Sequence, residues 1–241
     1  MLNSVTTALT VFELVAQHQP IGVSDLSRRL GITKSTVQRC LLTLHAAGWL
    51  RPEEGPQTRW VITAKCLTLG QHAADAGQLR SAVLPIMEEL REETFETIYL
   101  VVAEGRQAVL LERLESPNVI RTFLPLGKHG ELHETASGKA ILASYDREQL
   151  AVYIEQEHLP PDHADALYEE LVRLRGHGYV IALDEGEMGA SAIAAPIVNA
   201  RGKTVAALCI SCPSIRFPGK VRARFAQLVA SAAGKAGSRL R

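Results

Sequence analysis

Residues 21–50, IGVSDLSRRLGITKSTVQRCLLTLHAAGWL, restrict the chain more than any other stretch. They predict two short helices joined by a tight turn and followed at once by a strand. Ser24 or Asp25 can cap the first helix, because a side-chain oxygen there satisfies a backbone N–H that has no helical partner. Leu26 and Leu30 share one face at i, i+4. Gly31 suits the left-handed position that ends such a helix. Thr33 is placed to cap the second helix, with Val37, Leu41, Leu42 and Leu44 facing inward. Its other face carries Lys34, Ser35, Thr36, Gln38 and Arg39, groups that can bond phosphates or base edges. This is the layout of a helix-turn-helix whose second helix enters the DNA major groove.

A plain α-hairpin with a solvated polar face would give the same thirty residues. The continuation favours the first reading. Trp49-Leu50-Arg51 and Arg59-Trp60-Val61-Ile62 flank the turn-rich PEEGPQT, which predicts a β-hairpin and hence a wing behind the recognition helix. Arg51 and Arg59 could reach phosphates from it, whereas Glu53 and Glu54 oppose deep insertion of its tip. The candidate DNA contacts are Ser24, Lys34, Ser35, Thr36, Gln38, Arg39 and Arg59.

The formal net charge of zero becomes informative once divided along the chain. Residues 1–65 carry seven Lys and Arg against four acids, an excess of three positive charges that the rest of the chain balances. A basic reading head on an acidic partner domain distributes charge in this way. No run approaches the ~18 apolar residues of a membrane span. The amino terminus MLNSVTTALTVFEL lacks a basic leader, so the chain is expected to be cytoplasmic, with no membrane partner. Cys209 and Cys212 have a metal-like spacing but lie in an apolar strand-like run with no second pair, which favours buried cysteines.

Apolar periodicity predicts a first helix from Leu2 to His18, a connecting helix over 64–78, and an amphipathic helix over 79–96 with Leu79, Val83, Ile86, Met87 and Leu90 on one side. Glu88, Glu89, Glu92, Glu93 and Glu96 read as its solvated face. From Thr97 the texture turns to β: a hairpin around Glu104–Gln107, a third strand over Val119–Leu124, a loop over 125–133, and strands at 178–183, 191–198 and 204–211. Helices are expected at 135–145, 147–157, 162–177 and 218–240. Strands joined largely as hairpins, with helices packed against them, define an α+β domain.

Three motifs standing in register carry a resemblance: the head over 8–50, LHETASGKAILA over 132–143, and GYVIALDEGEMGASAIAAPIVNARGKTVAALCIS over 178–211. Together they resemble the IclR family of transcriptional regulators. The resemblance implies a winged helix-turn-helix (1–63), a linker helix (64–78) and a GAF-like effector-binding and oligomerisation domain (79–241). It further implies a homodimer, or a dimer of dimers, on a palindromic double-stranded operator, often as a repressor, switched by a small molecule and needing no cofactor.

The same resemblance points to Thr135, Ala136, Ser137, Asp184, Ala192, Cys209 and Ser211 as effector-binding residues. Exposed N–H groups at a helix start beside the Thr135 and Ser137 hydroxyls could attract an anion, although Thr135 also reads as a simple cap. Members that bind small acids carry a cysteine and an upstream acid where this chain has Ala192 and Ala182, with Asp184 and Glu185 nearby. That departure implies a less polar pocket; the small molecule expected of such a regulator is a metabolite, a carboxylic or aromatic acid.

Two other function classes were weighed on the residues. A phosphate-binding loop fails because His133 stands at the first glycine and Ala140 at the Ser/Thr place, and a Ser-x-x-Lys nucleophile fails at Ala136, so an enzyme is not expected. A metal- or redox-responsive regulator would use His129, His133 and the four cysteines, but Gly130 argues against the helix that an i, i+4 histidine pair needs.

Overall fold

A computed structural model describes residues 3–53, 55–71, 74–183 and 189–240. The chain divides into two compact units, residues 1–74 and 75–241, each treated by itself.

In the first unit, α1 (Asn3–His18), α2 (Val23–Leu30) and α3 (Lys34–Ala46) precede a hairpin of β1 (Leu50–Glu53) and β2 (Arg59–Ile62), and α4 (Lys65–Gln71) follows. Its core joins Val11 and Val15 of α1, Leu26 of α2, Val37, Leu41 and Leu44 of α3, and Ile21, Leu50 and Trp60. Ile21 exchanges two backbone hydrogen bonds with Trp60, so the segment between α1 and α2 pairs with the hairpin. Gly31 adopts φ +64°, a left-handed conformation that residues with a side chain rarely take, and α3 starts three residues later at Lys34. The Thr33 hydroxyl accepts a hydrogen bond from the Thr36 amide at 3.3 Å and caps α3.

Two expectations for this unit fail. Helix α2 begins at Val23, with Gly22 in the cap position and no capping side chain, so neither Ser24 nor Asp25 serves as the cap. Asp25 lies inside the first turn and pairs with Arg28 instead. Leu42 is half exposed, because Val37, Leu41 and Leu44 complete the buried stripe and residue 42 is rotated about 100° away from it.

The second unit holds α5 (Ala74–Thr94), β3 (Thr97–Glu104), β4 (Gln107–Leu114), β5 (His129–Glu131), α6 (Ala136–Leu142), α7 (Arg147–Gln156), α8 (Pro161–His177), β6 (Val180–Leu183), β7 (Ala190–Val198), β8 (Thr204–Pro213) and α9 (Gly219–Ser238). The helix expected over 79–96 runs from Ala74 to Thr94, so it starts five residues earlier than the apolar periodicity predicts. The strands form one antiparallel sheet in the order β5-β4-β3-β8-β7-β6. Strand alternation creates two cores. Ile98 and Leu100 of β3, Leu208, Ile210 and Cys212 of β8, and Ile193 and Ile197 of β7 face α5 and α9. Tyr99 and Val101, Ala207 and Cys209, and Ala194 face α6, α7 and α8.

Residues 119–124, expected as a strand, form an irregular segment, and the sixth strand is β5, inside the expected loop. The reason is occupancy: β3 is paired on both edges by β4 and β8, and β4's outer edge is taken by β5. The segment is tied down by side chains instead. Thr97 Oγ1 donates to the Thr122 carbonyl, and Thr122 Oγ1 donates to the Ser211 carbonyl, each at 3.1 Å. Glu96 also departs from its expected exposure: it is buried and holds Arg216 through two hydrogen bonds of 2.6 and 2.7 Å.

Helix α9 crosses β7 closely enough that a Cβ on Gly237 would stand 2.0 Å from the Val198 carbonyl oxygen, whereas one on Gly234 would meet nothing within 4 Å. Gly237→Ala should therefore destabilise this unit by about 1–3 kcal/mol through overpacking. Gly234→Ala should be neutral or stabilising by up to about 1 kcal/mol through helix propensity. Urea unfolding of the two variants checks the contrast.

Candidate nucleic-acid interface and ligand cavity

Because α3 buries Val37, Leu41 and Leu44, helical geometry turns Lys34, Ser35 and Arg39 to solvent, with Thr36 and Gln38 half-buried beside them. Thr33 Oγ1 lies 3.0 Å from the hydroxyls of both Ser35 and Thr36, so the start of α3 presents a linked row of hydroxyls. Ser24 is exposed in the first turn of α2, and Arg59 is exposed at the start of β2. Arg59 stands opposite Glu53 in the hairpin register, which offsets part of the wing's charge. Lys65 is engaged elsewhere: its Nζ donates to the Ala47 carbonyl at 2.7 Å and sits 4.5 Å above the Trp49 ring.

In the second unit, the sheet register assembles a floor from strands far apart in sequence. One cross-strand row runs Val180, Ala194, Cys209, Tyr99, and the next runs Ala182, Ala192, Ser211, Thr97. Over this floor lies a cavity of about 380 Å³, walled by residues 122–124, by the β5 region and by the start of α6. That volume is in the range of small-molecule sites. Of the residues singled out by sequence, Thr135, Ala136, Ser137, Ala192, Cys209 and Ser211 all line it. Asp184 lies outside the described residues. Sequence reasoning missed Tyr99, Val101, Leu110, Thr122 and Phe123, which also line it. The strand alternation that buries Ile98 and Leu100 on one face could have placed Tyr99 and Val101 on the other.

Helix α6 is buried at every residue. The Thr135 hydroxyl accepts from the Gly138 amide at 3.0 Å, so Thr135 is both cap and cavity wall. A Cβ on Gly138 would come within 2.2 Å of the Leu132 carbonyl oxygen, so the TASG sequence lets the helix start press against the preceding turn. Lys139 is buried and pairs with Glu170 at 3.1 Å, a structural lysine. Cys209 and Cys212 fall on opposite faces of the sheet, which prevents them from sharing a ligand. His129 is bonded to Gln107 and His133 to the Tyr153 hydroxyl. Among the described residues, no group of three His, Cys, Asp or Glu side chains is gathered as metal ligands. A wider groove of about 670 Å³ on α7 and α8 is lined by Arg147, Asp165, Tyr168, Glu169, Val172 and Arg173, none of them buried.

A three-helix head with a two-stranded hairpin, joined in one chain to an α/β unit that encloses a cavity, defines a helix-turn-helix transcriptional regulator. Comparison with known proteins specifies the class further. Residues 4–54 match the IclR helix-turn-helix domain, and residues 71–237 match the bacterial transcriptional regulator IclR C-terminal domain. This chain belongs to the IclR family, whose characterised relatives are DNA-binding regulators and not enzymes. It is 33% identical to the HTH-type transcriptional regulator KdgR of Dickeya chrysanthemi over 89% of this chain and 73% of that one. It is 27% identical to the transcriptional repressor IclR of Escherichia coli over 96% and 88%. A solved IclR homolog complexed with 4-hydroxybenzoate, from Microbacterium hydrocarbonoxydans, shares the fold with a TM-score of 0.83 at 24% identity, over 99% of each chain.

Burial pushes the Cys209 thiol from an ordinary 9.0 up to about 12, against a smaller lowering by the nearby Ser137 hydroxyl. Burial, reinforced by the Glu96 charge, does the same to Cys212. A thiol whose folded pKa is raised contributes stability that is complete below the unfolded pKa and is lost as pH rises through the folded value. The second unit should thus hold its stability up to pH 9 and lose it between 9 and 12. Urea midpoints across that range check this, and Cys209→Ala should make the fall shallower.

Proposed function

We propose that this regulator is ligand-responsive. The head (1–63) binds a palindromic operator as a homodimer or a dimer of dimers, with 64–78 as connector. The cavity of the receptor (79–241) takes a small metabolite, a carboxylic or aromatic acid. The observation that carries this reading is the half-open cavity over the sheet floor, in which Thr135, Ala136, Ser137, Ala192, Cys209 and Ser211 meet although they come from the start of α6, from β7 and from β8. The mixture of aliphatic and aromatic walls with serine and threonine hydroxyls suits a compact, partly apolar ligand. The bound aromatic acid in the Microbacterium homolog supports the same class. A ligand switches the protein only if it binds one arrangement of the heads better than another. Occupancy of an operator that overlaps a promoter would give repression, the mode named for the Escherichia coli relative. Since the protein reads DNA and carries no helix long and apolar enough to cross a membrane among its described residues, we place it in the cytoplasm.

In the head, Lys34 and Arg39 supply phosphate or guanine contacts, and Ser35, Thr36 and Gln38 lie nearest the bases, with Ser24 and Arg59 at the flanks. Arg39→Ala should cost about 1–3 kcal/mol of affinity for an operator selected from a randomised duplex pool if the guanidinium reads a guanine in bidentate fashion. Electrophoretic mobility shifts check it. Full affinity in the Gln38→Ala, Arg39→Ala double variant would remove α3 from the groove.

For the receptor, thermal-shift screening of small carboxylic and aromatic acids should find ligands that raise the midpoint with concentration, the folded state gaining about 2.7 kcal/mol when free ligand stands a hundredfold above Kd. Ser137→Leu should abolish that shift and the ligand's effect on operator binding, while DNA affinity without ligand is retained. A surviving response would place the pocket elsewhere.

A further inference from the structure

The hydroxyls at the start of α3 hold an arrangement that capping of the helix does not require. Thr10 of α1 and Thr43 of α3 turn their hydroxyls back to the carbonyl four residues earlier, a usual choice for threonine inside a helix. Thr36 does not. Its hydroxyl lies 3.0 Å from that of Thr33, and the Ile32 carbonyl, four residues before it, receives the Ser27 hydroxyl at 2.6 Å instead. The Ser35 hydroxyl is also 3.0 Å from Thr33 Oγ1, which in addition accepts the Thr36 amide. Among the described residues, the hydroxyls of Ser35 and Thr36 have no further partner, and Ser35 is exposed while Thr36 is half-buried.

Protons and lone pairs limit what this group can offer to DNA. A hydroxyl carries one proton and two lone pairs. With one lone pair of Thr33 Oγ1 taken by the amide, only one of the two neighbouring hydroxyls can donate to it, and the other accepts the Thr33 proton. Whichever way the chain runs, Ser35 and Thr36 together keep one proton to give, on one oxygen, and free lone pairs on the other. A phosphate, whose oxygens only accept, would use half of that. In the major groove guanine presents two acceptors, thymine one acceptor, cytosine one donor, and adenine an acceptor beside a donor. A lone Ser or Thr hydroxyl rotates to suit any of these, whereas this tied pair cannot give two protons at once.

We propose that Thr33 is a positioning residue that determines sequence specificity: by tying the hydroxyls of Ser35 and Thr36 together, it sets them to read one adenine in each half-site. One hydroxyl donates to N7 and the other accepts from the N6 amino group. To meet guanine with two donors, the group must surrender one of its bonds to Thr33. That loss corresponds to about a two- to twelvefold change in affinity, the net worth of one hydrogen bond. The inference rests on the placement of α3 in the major groove.

Selection of operators from a randomised duplex pool by the full chain, followed by mobility shifts on the selected duplex and on its adenine-to-guanine counterparts, tests it. The wild type should prefer one adenine over guanine by about two- to twelvefold, and 7-deazaadenine at that position should weaken binding. Ser35→Ala should lose the preference at the same position, which assigns it to this group and not to Gln38, a side chain that also reads adenine. Thr33→Gly should lose it too, with little change in the thermal midpoint because glycine is tolerated as an N-cap, and Thr33→Ser should keep it. No adenine preference in the wild type, a preference intact in Thr33→Gly or lost in Thr33→Ser, or an equal weakening of both duplexes by Thr33→Gly each overturns the assignment. The placement of α3 has its own readout. If the Gln38→Ala, Arg39→Ala double variant keeps full affinity, that reading falls and the inference with it; if the double variant loses affinity while Thr33→Gly keeps the adenine, the inference alone falls.

Discussion

The pairing of β3 with β8 holds the second unit together, and its other features depend on it. These strands are separated by about a hundred residues of chain, and they meet at the centre of the sheet with Ile98 opposite Ile210, Tyr99 opposite Cys209 and Leu100 opposite Leu208. A slip of β3 by one residue against β8 would turn its side chains over and bring Tyr99 against α5 and α9. The apolar packing of Ile98 and Leu100 against those helices opposes the slip, because it would replace fully buried aliphatic groups with a phenol. The core on one side of the sheet thereby sets the register of the cavity floor on the other.

That division of labour explains the chemistry of the cavity. The face toward α5 and α9 is almost wholly aliphatic and aromatic, while the face toward α6 combines alanines with Tyr99, Cys209 and Ser211. Small side chains at Ala182, Ala190 and Ala192 leave room above the sheet, and α6 seats tightly on the turn before it through Gly138. The remaining volume is edged by hydroxyls inside and by charges at the rim.

Much of this was legible in the sequence wherever structure is local. Gly31 and Thr33 mark a helix end and a helix cap within three residues, and Val37, Leu41 and Leu44 declare the buried stripe of α3, so the head could be read without tertiary information. The errors arose where a distant neighbour decided the outcome. Residues 119–124 have the composition of a strand, but both edges of the neighbouring β3 are taken by β4 and β8. The three residues of β5 carry no strand signal and pair only because β4's outer edge lies beside them. Leu42 and Glu96 took burials opposite to expectation, the first because the stripe was already complete and the second because Arg216, 120 residues away, neutralises it. The TASGKA motif directed attention to Thr135 and Ser137, whereas the alternation of β3 gives Tyr99 a face of the sheet but not the neighbours it meets there.

The sequence by itself determined the element types, the apolar faces and the two-part organisation, because helix and strand periodicities, caps and turns depend on residues a few positions apart. Only the tertiary structure decided which strands became neighbours, and therefore which side chains share the cavity. That choice belongs to the long-range register of β3, β8 and β7, fixed by how the aliphatic face of the sheet packs against α5 and α9.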